Sequence, residues 1–116
     1  MVILMNFYDN INNLVLSFKQ TDEYKEYMNL KEKLKQNQDV YNMLKDFKDK
    51  QNEVQIAFLN GQDVSKEKKE EMENLYSIVI QNEDCRKILE CEMKINIILA
   101  DLQKSMGTAI EELVKF

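Results

Sequence analysis

The sequence contains no histidine and no proline, and its only glycines are Gly61 and Gly107. Histidine is the commonest general base and the commonest zinc ligand, so its absence removes most hydrolytic and metal-dependent sites. β-Sandwiches and α/β enzymes need many tight turns, which use glycine and proline. Two glycines so far apart cannot form a dinucleotide fingerprint or a phosphate-binding loop. The composition therefore predicts an all-α protein that is not an enzyme.

Basic residues are fewer than acidic ones: the chain has 16 lysines and arginines and 21 aspartates and glutamates, so its formal net charge is −5. Nucleic-acid binding draws most of its affinity from basic side chains placed against phosphates. Two lysine-rich stretches, residues 31–35 and 66–69, are diluted by glutamates and are typical of solvated helix faces. We therefore expect no direct contact with nucleic acid.

No long hydrophobic run is present, and the apolar start covers only residues 1–5. A signal peptide needs a basic segment followed by about 7–15 apolar residues, and a membrane helix needs about 18 or more. We therefore expect a cytoplasmic protein with no membrane contact and with reduced cysteines. Residues 1–5 are a candidate for a frayed N-terminal extension. The sequence leaves open whether Met1 or Met5 is the natural first residue.

Apolar residues recur at helical spacing almost everywhere, and capping residues divide the pattern into five helices. A chain of 116 residues has the usual size of one domain, so we expect a single helical domain over residues 1–116. A heptad-like seam in the third helix has one polar member, Gln51, which could hydrogen-bond across the bundle. Gly61 lies where a left-handed helix end is expected. The predicted N-caps are Thr21, Asn37 or Asp39, Ser65 and Asn82.

The predicted fifth helix begins near residue 83 and is the longest. It would span about 50 Å, whereas a compact monomer of this size has a radius of gyration near 13 Å. Part of its apolar seam must then find cover outside its own bundle, and self-association is the simplest cover. The fold class we expect is an elongated all-α bundle completed by homo-oligomerisation. The residues predicted to form an oligomer or partner interface are Ile88, Ile95, Leu99, Leu102, Met106 and Leu113.

Glu92 occupies a polar position in this seam, in line with Cys85 and Leu99. One interpretation is that its carboxylate binds a basic group of a partner or fixes the register of the assembly. The other is that the seam opens at that turn and Glu92 pairs with a lysine at the edge. The second interpretation is favoured because a buried, unpaired carboxylate is costly.

Cys85 and Cys91 are the only candidates for metal or redox chemistry. Six residues apart on a helix, they point about 120° away from each other, so one helix cannot easily present both to one metal. Two chains together could supply the four ligands of a zinc site or an iron–sulfur cluster. Packing as small hydrophobic residues is the favoured interpretation, and we expect no cofactor. A thiol-dependent metal or redox protein is the alternative.

Several short segments carry a resemblance that extends over residues 6 to 113. They are Asn6-Phe7-Tyr8-Asp9, Thr21-Asp22-Glu23-Tyr24, Phe47-Lys48-Asp49-Lys50-Gln51 followed by Gly61, and Glu90-Cys91-Glu92 ahead of Ile97-Ile98-Leu99 and Asp101-Leu102. In these segments the chain resembles the YlbF/YheA/YmcA-like family of small helical bacterial proteins, and the YheA branch above all. None of the segments is a catalytic motif.

The resemblance implies an all-helical subunit that dimerises or oligomerises through its long helices. The resemblance also implies a regulatory role. Related members resemble regulators of competence, sporulation and biofilm formation that act as accessory subunits and direct ribonuclease Y. The expected function is therefore that of a non-enzymatic helical adaptor or regulator that acts through protein–protein contacts. Its expected partners are other copies of itself, a ribonuclease complex or a family paralogue.

Overall fold

The structure is a computed structural model that describes all 116 residues, and it consists of five α-helices joined by short turns and one loop. The all-α prediction and its long C-terminal helix are confirmed. No helix combines the length and the apolar content needed to cross a membrane. The helices are α1 (Val2–Lys19), α2 (Asp22–Lys35), α3 (Gln38–Leu59), α4 (Lys66–Val79) and α5 (Glu83–Val114).

Side-chain caps fix the starts of the last four helices, as the sequence predicts. In each case the cap side chain accepts a hydrogen bond from a backbone N–H three residues ahead. The pairs are Thr21 with Tyr24 at 3.3 Å, Asn37 with Val40 at 3.5 Å, Ser65 with Lys68 at 3.2 Å and Asn82 with Cys85 at 3.0 Å. The cap of α3 is thus Asn37 and not Asp39.

The C-terminal end of α3 has the expected capping residue, whereas the N-terminal start of α1 has none. Gly61 follows α3 with a φ of +70°, the left-handed conformation expected there. By contrast, α1 begins at Val2 without a side-chain cap and without an acidic residue in its first turn. Residues 2–5 are helical, and their side chains are exposed. The start of α1 therefore lacks the local stabilisation that the other helices have.

The chain forms two compact units. Unit 1 comprises Met1–Asn29 and Glu90–Phe116, and unit 2 comprises Leu30–Leu89. Unit 1 therefore contains α1, the first part of α2 and most of α5. Unit 2 contains the rest of α2, α3, α4 and the start of α5. The single domain over residues 1–116 stays a prediction.

Unit 2 has a closed apolar core in which α3 and α4 are the helices in closest backbone contact. The rings of Phe47 and Tyr76 lie 5.6 Å apart and join these two helices. At the surface, Lys33 Nζ lies 3.2 Å from Asp84 Oδ1 and links α2 to α5. The buried residues of unit 2 are Leu34, Leu44, Phe47, Val79, Cys85 and Ile88.

Unit 1 has a much smaller core, in which only Cys91 and Ile95 are buried. Helix α1 contributes no buried residue. Its most protected side chain is the half-buried Phe18. The rings of Phe18 and of Tyr24 in α2 pack edge to face, with their centroids 5.2 Å apart. The apolar side chains of α1 are otherwise exposed, although apolar side chains normally fill a core.

Candidate interaction surface

The apolar stripe of α5 is covered at one end and open at the other. Its members recur at steps of three and four, which places them on one side of the helix. We call residues 85–95 the covered half and residues 99–113 the open half. Exposure rises along the stripe: Cys85 0%, Ile88 4%, Cys91 2%, Ile95 9%, Leu99 37%, Leu102 38%, Met106 49% and Leu113 75%.

This gradient divides the residues predicted to form an interface. Ile88 and Ile95 are already covered by their own chain. Leu99, Leu102, Met106 and Leu113, which share the same side of α5, are exposed. A role in partner contact stays a prediction for all six, but only the latter four are available to a partner without local opening.

An apolar groove lies between α1 and the open half of α5, inside unit 1. Its volume is about 330 Å³, and no charged side chain lines it. Three of the α1 residues that line the groove are spaced at i, i+4 and i+7, so one side of α1 faces it. The lining residues are Phe7, Asn10, Ile11, Leu14, Leu102 and Met106.

The interface residues predicted from the sequence all lie on α5, and none lies on α1. A signal for its exposure was present in the charge distribution. Helix α1 carries only Asp9 and Lys19 as charged residues, whereas charged residues make up 32% of the whole chain. A helix with so little charge is normally buried. In this chain its apolar side chains lack that cover.

A second apolar patch lies at the end of α3, in unit 2, and we call it the α3 tip. It consists of Ile56, Phe58 and Leu59, which are between 59% and 78% exposed. No charged residue occurs between Glu53 and Asp63. Phe58 lies at the end of the heptad-like seam of α3, and it is among the most exposed large apolar side chains of unit 2.

The two polar seam residues lie in different surroundings. Gln51 is exposed on α3, so the seam is already open to solvent at its position. Glu92 is half-buried on α5 and has an interaction partner. The pairing of Glu92 with a lysine at the edge of the seam stays a prediction. A specificity role for either residue stays a prediction.

Both cysteines are buried free thiols. Burial raises the pKa of the Cys85 thiol, and the neighbouring Asp84 carboxylate raises it further. Burial also raises the pKa of Cys91, as do the charge of Glu26 and a hydrogen bond to that carboxylate, while Lys94 opposes them. A raised pKa keeps a thiol protonated, and the protonated form is a poor nucleophile and a poor metal ligand.

Burial agrees with the favoured interpretation of the cysteines as small hydrophobic core residues. The structure contains no group of three or more histidine, cysteine, aspartate or glutamate side chains that could hold a metal ion. A site shared between two copies would need both thiols to leave their buried positions. The thiol-dependent alternative therefore gains no support from the positions of Cys85 and Cys91.

Known proteins resemble this chain over nearly its whole length. Residues 7–111 match the model of a family described as "Control of competence regulator ComK, YlbF/YmcA". A UPF0342 protein of Desulfitobacterium hafniense is 38% identical over 91% of this chain and 86% of its own length. A UPF0342 protein of Symbiobacterium thermophilum is 34% identical over 90% of this chain and 93% of its own. In Bacillus licheniformis, a UPF0342 protein is 28% identical over 94% and 93%.

Proposed function

Because the chain belongs to the YlbF/YmcA family, described as controlling the competence regulator ComK, we propose that it is a non-enzymatic regulatory protein acting through contacts with other proteins. The observation that carries this proposal is the uncovered apolar surface formed by α1 and the open half of α5. Monomeric proteins rarely expose contiguous apolar patches larger than a few hundred Å², and larger patches mark interaction sites. The predicted membership of the family is confirmed, and the YheA branch stays a prediction.

The finer function follows the resemblance noted in the sequence. We propose a cytoplasmic adaptor that serves RNA processing or developmental regulation and binds a ribonuclease complex or a family paralogue. The net charge of −5 supports an indirect role, because an acidic chain gains little from contact with RNA phosphates. Regulation of an RNA-processing enzyme would then pass through apolar protein contacts.

A pull-down tests this function. The tagged chain is recovered from nuclease-treated native lysate, and co-purifying proteins are identified by mass spectrometry. We expect a ribonuclease or a family paralogue to be enriched over an untagged control. Phe58→Asp at the α3 tip and Leu102→Asp in the open half then locate the contact, with Gln55→Asp as the matched control on α3. Recovery of the tagged chain alone would contradict the adaptor function.

A further inference from the structure

We propose that the α3 tip and a recess beside it bind a short acidic segment of a partner protein. The segment places one large apolar side chain in the recess and its carboxylates near Lys68 and Lys69. This inference rests on the proposed function, because it gives the regulator a second contact surface and states the chemistry of the partner. The surface lies within unit 2 and shares no residue with the apolar surface of α1 and α5.

The recess lies between the end of α3 and the start of α4, and its volume is about 250 Å³. Its apolar lining consists of the half-buried side chains of Val54, Ala57 and Val64. Phe58 lies about one turn beyond Val54 on the same side of α3, which places its exposed ring next to the recess. The recess therefore has the lining and the position to hold one large apolar side chain of a partner.

Lysines cluster on the α4 side of the recess. Lys66, Lys68 and Lys69 occupy three of the first four positions of α4, where the helix dipole makes positive charge unfavourable. Lys66 lies 4.0 Å from the carboxylate of Glu70, but Lys68 and Lys69 form no ion pair. The fold therefore gains nothing from these last two charges, whereas the carboxylates of a bound segment would be stabilised by both.

The charges that line the recess also set the orientation of the segment. Lys68 lines it on the side of α4, while the carboxylates of Glu53 and Asp63 line it on the side of α3 and the loop. Like charges that face each other across an interface repel. The acidic residues of the segment therefore face α4, and its neutral residues face α3.

The exposed apolar area fits a short segment better than a second copy of the chain. Ile56, Phe58 and Leu59 are 59%, 78% and 74% exposed. Together they offer on the order of 400 Å², whereas a standard interface buries about 800 Å² on each partner. A symmetric contact would also bring the lysines of two copies together, where they would repel each other.

Charge and shape both favour a protein segment over a membrane surface. Anionic lipids would attract the lysines, but Glu67, Glu70 and Glu71 lie in the same first turns of α4 and would be repelled. A bilayer also makes no use of a recess between two helices. A protein segment uses both the recess and the unpaired lysines.

Selection from random peptides displayed on phage, with the full-length chain as bait, tests the chemistry of the partner. We expect the enriched peptides to contain an excess of aspartate and glutamate and at least one large apolar residue. Enrichment of no peptide, or of peptides without an acidic excess, would overturn the proposal.

A fluorescently labelled copy of an enriched peptide then locates the contact by fluorescence anisotropy. The dissociation constant should rise at least about tenfold for Phe58→Ala and for the double variant Lys68→Glu/Lys69→Glu. It should also rise with salt for the wild-type chain, because part of the attraction is between charges. Unchanged affinity in either variant would contradict the assignment of the peptide to the tip.

Two matched variants control for indirect effects. Tyr8→Ala removes an exposed ring of α1, and Lys45→Glu/Lys104→Glu makes the same charge change away from the tip. Both should bind the peptide like the wild-type chain, with equal helicity by circular dichroism in all variants. Equal losses of affinity in the controls would contradict the proposal.

Three further outcomes separate this inference from its alternatives. Flotation with vesicles of phosphatidylcholine and phosphatidylglycerol in equal parts, lost in Phe58→Ala, would overturn the proposal in favour of a membrane. A lower mass for Phe58→Ala than for wild type in light scattering would assign the tip to a second copy instead. Proteins captured from lysate equally by wild type and Lys68→Glu/Lys69→Glu would refute the tip contact and leave the proposed function intact. Peptide binding at the tip with no protein captured from lysate would refute only the adaptor function.

Discussion

In unit 2 the apolar stripes of several helices meet and exclude solvent, whereas in unit 1 stripes of the same kind remain open. Leu44 and Phe47 of α3 are buried, but Ile11 and Leu14 of α1, with equivalent spacing, are exposed. The difference therefore does not lie in the apolar pattern. It lies in whether the same chain provides a helix to cover the stripe. Unit 2 closes its core with its own helices and leaves the α3 tip uncovered, whereas unit 1 has the composition of a core that one chain does not close.

The largest expected effect concerns the core of unit 2. Phe47→Ala should lower the free energy of unfolding by about 3–5 kcal/mol, because it leaves a cavity beside Tyr76. The matched variant Phe58→Ala removes an exposed ring and should change stability by less than about 0.5 kcal/mol. Urea unfolding followed by circular dichroism measures both. Equal losses in the two variants would mean that the contrast between core and tip is wrong.

The two halves of α5 can be compared with one type of substitution. Ile88→Ala in the covered half should cost about 2–4 kcal/mol at every protein concentration. Ile110→Ala in the open half should cost less than about 1 kcal/mol in dilute solution. If two copies pair, the cost of Ile110→Ala should grow as the concentration of the chain rises. A concentration-independent result for Ile110 would argue against its burial in a pair.

Helix α5 starts with a cap in unit 2, while α1 starts without one in unit 1. Asn82→Ala should lower stability by about 1 kcal/mol, because the N–H of Cys85 loses its acceptor. Asn82→Ser keeps an acceptor at the same position and should be nearly neutral. Thermal unfolding of the three proteins decides the matter. A Ser variant as unstable as the Ala variant would show that the cap is not the cause.

The two glycines should respond to alanine in opposite directions. Gly107 lies within the open half of α5, and a Cβ added there meets no atom within 4 Å. Gly107→Ala should therefore stabilise the chain by about 1 kcal/mol through higher helix propensity. Gly61→Ala should destabilise it by about 1 kcal/mol, because its φ of +70° strains a side chain. Destabilisation by Gly107→Ala would instead indicate that a partner helix crosses closely at that point.

The smallest expected effect concerns pH. The folded chain raises the pKa of both thiols, so the unfolded chain loses these protons first as pH rises. The stability that the protonated thiols contribute is present at neutral pH and declines above about pH 9. Urea unfolding between neutral and alkaline pH should show a steeper decline for wild type than for the double variant Cys85→Ala/Cys91→Ala. Parallel declines in the two proteins would contradict the attribution of the alkaline loss of stability to the two thiols.

The helices and their ends could be predicted from the sequence because the signals are local. A cap such as Asn82 or Ser65 bonds to an N–H three residues away. The left-handed turn at Gly61 depends on the missing Cβ of that one residue. The burial of the cysteines followed from their position on an apolar stripe. Each of these features is decided within a few residues of the chain.

The burial of each apolar stripe could not be predicted, because it depends on which side chains a neighbouring helix packs against the stripe. The seam of α3 continues to Phe58, but α4 begins with six charged residues, 66–71. These first turns of α4 offer no apolar side chain with which Phe58 could pack. Likewise, the stripe on α1 shows which side is apolar, and it does not show whether that side is inside or outside. Periodicity gives the direction of a stripe, and tertiary contacts decide its burial.

Helix α1 also bears on the fate of the protein in a cell. It has no side-chain cap, no buried residue and a long row of exposed apolar side chains. Chaperones bind and proteases cleave exposed apolar segments of low local stability. A copy whose α1 is not covered by a partner should therefore be degraded faster than one whose α1 is covered. The amount of the protein in a cell would then follow the amount of the partner that covers α1.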